Sequence, residues 1–105
     1  MIRWIKPHYE YLEFASAAHC LRSRHFYAPL LPSEGEFAVG ITISKKVGNA
    51  VKRNRLKRRI KAWLRGHHSH YPLGQKLNII ARKGAAELSW QELGLELQAL
   101  LGALA

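Results

Sequence analysis

The segment KKVGNAVKRNRLKRRIKAWLR, residues 45–65, has the most distinctive charge and hydrophobic pattern in the chain. It holds ten of the seventeen lysines and arginines and no acidic residue, whereas the rest of the 105-residue chain has seven basic and seven acidic residues. The formal net charge of +10 therefore lies within this one segment. Such a concentration of one sign of charge raises the local potential and attracts a polyanion.

The same segment has the periodicity of an amphipathic helix. At 3.6 residues per turn, four apolar residues form a single stripe; they are Leu56, Ile60, Trp63 and Leu64. Polar and basic residues occupy the opposite arc; they are Asn54, Arg55, Arg58, Arg59, Lys61 and Arg65. Asn49 is suited to cap the start of this helix and Gly66 to end it. One face is thus predicted to pack and the other to meet a negatively charged partner.

The charge pattern of this helix lowers its own stability. Lys52 and Arg53 lie in the first turn, where the helix dipole disfavours cations by a few tenths of a kcal/mol each. Like-charged pairs three or four residues apart, such as Arg55 with Arg58, cost about as much again. A merely solvated face usually mixes both signs of charge. The sequence therefore favours a surface that binds a polyanion.

Length and composition predict a single domain spanning residues 1–105. The 48% hydrophobic content is enough for one modest core. We find no apolar run approaching the ~18 residues of a membrane span and no signal peptide, so we expect a cytoplasmic protein without a membrane partner. The single cysteine, Cys20, cannot form an internal disulfide. It is interpreted as a small packing residue, because nothing in the sequence organises a base for a nucleophile.

The first 20 residues are predicted to contain one helix. Residues 1–6 are interpreted as a loosely held lead-in with Trp4 as its anchor. Pro7 suits the first turn of a helix, and apolar residues follow at helical spacing. This helix is expected to end near His19 or Cys20.

Two strands are predicted before the basic helix. Residues 24–31 form an apolar run in which Pro29 indicates an edge or a bulge, and residues 36–44 alternate between apolar and small or polar side chains. Turn residues separate the two runs, so we expect an antiparallel hairpin. Its second strand would lead directly into the basic segment.

After the basic helix, the sequence predicts a loop, a strand and a final helix. His67, His68 and His70 suggest a metal site, but no cysteine or nearby carboxylate completes a ligand set, so a solvated loop is favoured. Residues 76–82 form a short buried strand. Ser89 and Glu92 have the spacing of a capping box, after which leucines repeat at helical spacing.

Taken together, these elements predict an α+β fold, a two-layer sandwich of a small mixed sheet with three helices. The expected order is helix, strand, strand, basic helix, strand, helix, with room for a further strand before the basic helix. Residues 36–82 are compatible with a parallel crossover around the basic helix.

The distribution of acidic residues indicates whether this chain or another molecule would hold catalytic metal ions. The chain has no aspartate, and none of its seven glutamates lies in the basic segment. Protein-only phosphodiester hydrolysis commonly gathers several carboxylates around metal ions. A strand, rather than a second helix, enters the basic helix, which disfavours a helix-turn-helix DNA reader. If the chain takes part in nucleic-acid cleavage, the catalytic metals are expected to be held by another molecule.

The run GITISKKVGNAVKRNRLKRRIKAWLR, residues 40–65, resembles the signature of the protein subunit of bacterial ribonuclease P. Arg53, Asn54 and Arg55 fall on that family's Arg-Asn-Arg motif. The run IIARKGAAELSWQELGLELQALL, residues 79–101, resembles the family's closing strand and helix, and EYLEF and RSRHFYAPLL are similar to its first helix and strand.

This resemblance implies a ribonucleoprotein enzyme that removes the 5′ leader from precursor tRNA. The RNA subunit is its catalyst, with Mg²⁺ held by the RNA and the substrate, so no catalytic or metal-binding residue is expected in this chain. The implied partners are the catalytic RNA and precursor tRNA, and DNA is not expected. The family's fold resembles a ribosomal-protein α/β sandwich with a left-handed crossover, the rarer hand.

The resemblance also implies two sets of site residues. Contacts with the catalytic RNA are expected from the loop and helix of the basic segment: Lys45, Lys46, Asn49, Lys52, Arg53, Asn54, Arg55, Arg58, Arg59, Lys61 and Arg65. A cleft for the single-stranded leader, between the first helix and the sheet, is expected to use Tyr11, Phe14, Phe26 and Tyr27. Aromatic rings there would stack on bases, worth about 1 to 3 kcal/mol each.

Two other functions are compatible with the basic helix. A structural or ribosomal RNA-binding protein would need the same helix but no leader cleft. A sequence-specific DNA-binding regulator would need an element that reads base edges.

Overall fold

The computed structural model describes residues 2–67 and 73–104. In chain order, the strands and helices are β1 (Ile2–Trp4), α1 (His8–Leu12), β2 (His19–Arg22), β3 (Phe26–Pro32), β4 (Phe37–Thr42), α2 (Ala50–His67), β5 (Gln75–Ala81) and α3 (Trp90–Leu101). Short 3₁₀ turns follow α1 at Glu13–Ser16 and precede α3 at Ala85–Glu87.

The five strands form one mixed sheet in the order β1-β4-β5-β3-β2. Strands β1, β4 and β5 are parallel to one another, whereas β3 is antiparallel to β5 and β2 is antiparallel to β3. This confirms the predicted α+β class with three helices on a small mixed sheet. Helix α2 connects the adjacent parallel strands β4 and β5, as expected for a crossover; its left-handed sense stays a prediction.

One face of the sheet packs against α2 and α3 to form the main core. Alternate residues of the strands point to this side because side chains alternate along a strand. The core includes Phe26 and Ala28 of β3, Val39 and Ile41 of β4, Leu77 and Ile79 of β5, and Leu93, Leu97, Leu100 and Leu101 of α3. The predicted capping box begins α3: Glu92 N donates to Ser89 Oγ, and Ser89 N donates to Glu92 Oε1.

Helix α1 covers one end of the opposite face. Phe14 packs there with Ile5 and Ala38 in a second, smaller cluster. An ion-pair network surrounds this contact: Arg3 pairs with Glu10 and Glu36, and Lys76 pairs with Glu10 and Glu13. The rest of this face lacks a helical cover within the described residues.

The N-terminal predictions were wrong in three respects. Residues 2–4 are not a loose lead-in but the edge strand β1, in register with Phe37, Ala38 and Val39 of β4. The first helical region ends at Ser16, well before Cys20. Cys20 lies instead on β2 and is exposed, not packed. Three or four residues carry too little periodicity to separate a short edge strand from a helix end or a coil.

The predicted hairpin also differs in its partner. β3 and β4 do not pair, because β5 lies between them. The hairpin forms one step earlier, between β2 and β3, through a turn in which Ser23 N donates to Phe26 O at 2.8 Å. Leu77, Asn78 and Ile79 of β5 are all buried, as expected for a central strand with a neighbouring strand on each edge.

Pro29 lies in an inner strand, not at an edge or bulge. It is in register with Cys20 of β2. On the β5 side, the β3 pairing continues in one register on both sides of this residue, from Tyr27 with Ile80 to Leu30 with Leu77. The missing N–H of proline is therefore absorbed by a local gap in the ladder rather than by an inserted residue.

Candidate nucleic-acid interface

A side-chain cap fixes the start of α2. Asn49 Oδ1 accepts a hydrogen bond from Lys52 N at 2.9 Å, and Asn49 O accepts one from Arg53 N at 2.9 Å. Just before the cap, Val47 is buried in the core and anchors the loop that carries Lys45 and Lys46. The predicted N-cap is thus confirmed, and this use of Asn49 occupies the side-chain oxygen that was also expected to face RNA.

The packed face of α2 is the one predicted from the sequence. Leu56, Ile60, Trp63 and Leu64 are buried, following the i, i+4, i+7, i+8 spacing of one helix face. Val51 lies on the opposite side of the helix from this stripe and is 75% exposed.

The outer face of α2 and the preceding loop present cations that are not neutralised within the chain. The side chains of five cations and of Asn54 are exposed and make no hydrogen bond or ion pair with another described residue; the six residues are Lys45, Lys46, Asn54, Arg55, Lys57 and Arg58. The unpaired set includes Lys57, which was missing from the predicted site. Its signal was present in the sequence, because it lies one turn from Asn54 and Lys61.

Other predicted residues on α2 do have internal partners. Lys52 Nζ lies 3.5 Å from Glu87 Oε1, an exposed pair. Arg59 Nη1 donates to Leu88 O at 2.9 Å, which ties α2 to the segment before α3. Such contacts hold each side chain in place while leaving part of its charge exposed.

Two tryptophans lie beside the basic helix, one on each flank. On the β1 flank, Lys61 Nζ and Arg65 Cζ lie 5.2 and 5.5 Å from the ring centroid of Trp4. On the α3 flank, Arg59 Cζ lies 5.9 Å from the ring centroid of Trp90. These are cation–π distances, so the rings orient cations at both borders of the basic surface.

Arg53 and Lys61 show that the basic surface is only partly solvated. The Nε of Arg53 is buried and has no hydrogen-bond partner among the described residues. Burial lowers the pKa of Lys61, and the charges of Lys57, Arg65 and Lys6 lower it further. An anion bound beside Lys61 would offset both effects, since it favours the charged form.

A groove of about 700 Å³ separates α1 from α2. Its floor is the part of β4 beyond its pairing with β1, and Lys6, Lys57 and Lys61 lie along its walls. Tyr11 lies at one side; its Oη donates to Ile5 O at 3.1 Å and accepts from Ile41 N at 3.2 Å. The groove therefore combines three cations with an aromatic ring that is partly exposed.

Tyr11 can lie against the strand because residue 40 is glycine. A Cβ on Gly40 would come within 2.6 Å of Tyr11 Cε1. Since real Cβ atoms are not found that close to another side chain, any larger residue would displace the ring.

The four aromatic residues predicted to form the leader cleft separate into two pairs. Phe14 is 6% exposed and Phe26 is fully buried, so neither ring has a face available for a base, and this part of the prediction was wrong. Tyr11 and Tyr27 are partly exposed. Tyr27 lines a second groove of about 680 Å³ with Lys46 and Lys83. Alternation along β3 explains the difference, because Phe26 points to the core and Tyr27 to the open face.

Arg82 adds a charge to this second groove. Its guanidinium lies 5.0 Å from the ring centroid of Tyr27. Arg82 was not among the predicted site residues, although it directly follows β5, the strand that pairs with β3. A cation over an exposed ring is an arrangement that suits a stacked base next to a phosphate.

The histidine hypothesis concerns residues at the end of α2. His67 stacks on Trp63, with ring centroids 4.0 Å apart, and its Nδ1 lies 2.7 Å from Trp63 O. His68 and His70 lie outside the described residues. Within residues 2–67 and 73–104, no three His, Cys, Asp or Glu side chains are close enough to hold a metal ion. The same part of the chain has no helix with the length and hydropathy to cross a membrane.

Comparison with known proteins gives a consistent result. The sequence model of the Ribonuclease P family matches residues 3–105. The ribonuclease P protein component of a Geobacter species is 44% identical over 96 residues, which cover 90% of this chain and 82% of that protein. The corresponding protein of Halalkalibacterium halodurans is 37% identical over 90 residues, covering 84% of this chain and 76% of that protein.

Solved structures agree with the sequence comparison. The RNase P protein of Staphylococcus aureus superposes with a TM-score of 0.86 at 29% identity, covering 95% of this chain and 93% of that one. The RNase P protein of Thermotoga maritima superposes with a TM-score of 0.87 over 98% of each chain; at 21% identity, it supports the fold alone. Together with the arginine-rich helix and its loop, these matches show that the chain belongs to the ribonuclease P protein family.

Proposed function

We propose that the chain binds the catalytic RNA of ribonuclease P through the outer face of α2 and thereby assists removal of the 5′ leader from precursor tRNA. The observation that carries this proposal is the row of exposed, unpaired cations at Lys45, Lys46, Arg55, Lys57 and Arg58. In the free chain they repel one another, and phosphates would neutralise that repulsion.

Each type of side chain on this surface has a physical role. Arginines can bind a phosphate with two parallel hydrogen bonds, and lysines act as compact point charges. Asn54, exposed between Arg53 and Arg55, supplies directed hydrogen bonds that a cation cannot. Family membership favours this reading over a purely structural RNA-binding protein or a DNA-binding regulator.

The chemistry is assigned to the RNA. Six of the seven glutamates are engaged within the described chain: Glu10, Glu13, Glu36, Glu87, Glu92 and Glu96. We place Mg²⁺ between the RNA and its substrate, where it would supply the nucleophile and stabilise the leaving oxygen. The protein's cations would replace part of the RNA's counterion atmosphere and so reduce the Mg²⁺ that folding and substrate binding require. In this role the chain would work in the cytoplasm.

The leader is proposed to follow the sheet surface beside α2. The groove lined by Tyr11, Lys57 and Lys61 offers cations for phosphates, and the open face continues from Thr42 to the groove at Tyr27. Thr42 Oγ1 donates to Asn78 Oδ1 at 2.9 Å between them, so polar groups line this route. Single-stranded RNA is commonly bound in this way, by cations for the backbone and rings for the bases.

Reconstitution tests the proposal. The chain is added to the cognate catalytic RNA at limiting Mg²⁺, and removal of the 5′ leader from precursor tRNA is followed over time. We expect stimulation by the chain and much weaker stimulation by the Arg55→Ala/Arg58→Ala variant. The double variant Arg22→Ala/Arg24→Ala loses the same charge from β2 and its turn and should stimulate like the parent. Absence of stimulation by the parent chain, or leader removal by the chain without RNA, contradicts the proposal.

A further inference from the structure

Trp90 is a large aromatic side chain that belongs to neither hydrophobic core cluster. It is 49% exposed at the first residue of α3, outside the buried leucines of that helix. The cap that begins the helix is made by Ser89 and Glu92 and does not use the indole. Leu95 shows the other kind of exposed apolar residue on α3, one without cations placed beside it in any described contact.

The surroundings of Trp90 belong to the basic surface. Arg59 lies over its ring at 5.9 Å, and the same guanidinium is fixed by its hydrogen bond to Leu88 O. Toward the start of α2, Arg55 is exposed one turn from Arg59, so it extends the same flank. Lys52 on this side is paired with Glu87, so the negative charge of that nearby carboxylate is offset by a lysine. The ring is therefore at the border of a strongly positive patch.

We propose that Trp90 and Arg59 form a second contact with the catalytic RNA, in which an unpaired base of that RNA stacks on the indole while its phosphates meet Arg55 and Arg59. This inference rests on the proposed function, because it extends the RNA-facing surface from α2 onto the first turn of α3. Charge complementarity selects the partner: an exposed ring flanked by cations suits a base attached to phosphates, whereas an apolar protein surface would be opposed by the desolvation of those cations.

The catalytic RNA, rather than the leader, is the source of this base. Lys57 and Lys61 face the groove between α1 and α2. Arg59 lies about 160° from both Lys57 and Lys61 around the helix axis, so Arg59 and the groove occupy different flanks of α2. A strand bound in the groove would not reach Trp90 without crossing the outer face of α2.

The test compares Trp90→Ala, Trp90→Phe and the matched control Leu95→Ala, which removes an exposed apolar side chain from the same helix. We expect Trp90→Ala to weaken binding of the catalytic RNA by about fivefold or more, the loss of one stacked base. The phenylalanine variant should retain most of the affinity, and Leu95→Ala should bind like the parent. Because stacking releases no counterions, the salt dependence of Trp90→Ala should keep the parent's slope.

Three further measurements separate the possible failures. Thermal unfolding establishes that Trp90→Ala is folded, and a photo-crosslinking residue at position 90 should label the catalytic RNA while the same residue at position 95 does not. The preference for precursor over mature tRNA should be unchanged in Trp90→Ala. Parent-like affinity of Trp90→Ala or no crosslink from position 90 overturns the inference, as does a selective loss of precursor binding. If the parent chain itself fails to bind the RNA, the proposed function fails instead.

Discussion

At the scale of single residues, adjacent positions in the sequence differ in solvent exposure. Phe26 is fully buried while Tyr27, the next residue, lines a groove on the other face of the sheet. Composition and resemblance could select both aromatics as candidates, but only the register of β3 decides which of them meets solvent. Phe14 is a similar case. The helical spacing of the apolar residues around it was recognised, but the second core cluster, in which Phe14 packs with Ile5 and Ala38, could not be predicted from the local sequence.

Burial changes the effect expected for Phe14. Phe14→Ala should lower the free energy of unfolding by about 3 kcal/mol, since it empties a packed site. Its affinities for precursor and mature tRNA should fall equally, through the unfolded fraction. Tyr27→Ala, which removes an accessible ring, should instead weaken precursor binding more than mature binding. Urea unfolding and equilibrium binding of both RNAs measure these effects; a selective precursor loss in a fully folded Phe14→Ala would contradict the assignment of Phe14 to the core.

At the scale of elements, the long helices were the most predictable parts. Helix α2 follows its hydrophobic period from Leu56 to Leu64, and α3 starts at the capping box seen in the sequence. Short strands were the least predictable: β1 and β2 have three and four residues, and their identity depends on partners far along the chain. The exposed basic face of α2 was predictable because charge and period coincide. The cation–π contacts of Arg59 with Trp90 and of Lys61 with Trp4 were not predictable, because they join α2 to other elements.

The charges of α2 should affect stability and binding in opposite directions. Arg58→Ala removes a repulsion from Arg55, three residues away, and substitutes a better helix former, so the melting temperature of the free chain should rise slightly. RNA binding should weaken, and the dependence of log K on log salt should flatten by about one unit for the lost phosphate contact. Differential scanning calorimetry and binding titrations over a salt series provide the two readouts. Arg24→Ala serves as the matched control on the β2–β3 turn, and an unchanged slope in Arg58→Ala would mean that this side chain does not face phosphate.

At the scale of the whole molecule, positive and negative charges are separated. The acidic residues near α1 are paired with Arg3 and Lys76, whereas the basic face of α2 remains open. The α+β class followed from the order of patterns along the chain, but the strand order did not, because local patterns do not specify which strand occupies the centre. β5 occupies the centre because its core-facing residues are apolar and because it pairs with a strand on each edge.

The network around α1 predicts a loss of stability in acid. The hydrogen bonds from Arg3 hold the pKa of Glu10 below its ordinary value of 4.5, so the folded chain keeps this carboxylate ionised where the unfolded chain protonates it. Its stabilisation is therefore complete above pH 4.5 and is lost as the pH falls through the lower, folded-state pKa. Urea unfolding across this range should show a smaller acid-dependent loss in Glu10→Gln than in the parent. Arg3→Met should flatten the profile similarly, and the double variant should add little more; additive effects would show that the two groups act independently.

The pairing of β1 with β4 has a consequence for the order in which the protein is assembled during translation. Ile2 and Trp4 are synthesised before their partners Phe37 and Val39, which follow more than thirty residues later. The cations that rest on the Trp4 ring, Lys61 and Arg65, are later still. β1 must therefore remain unpaired while more than thirty further residues are synthesised, and the flank of the groove that it forms is completed only after α2 has been made.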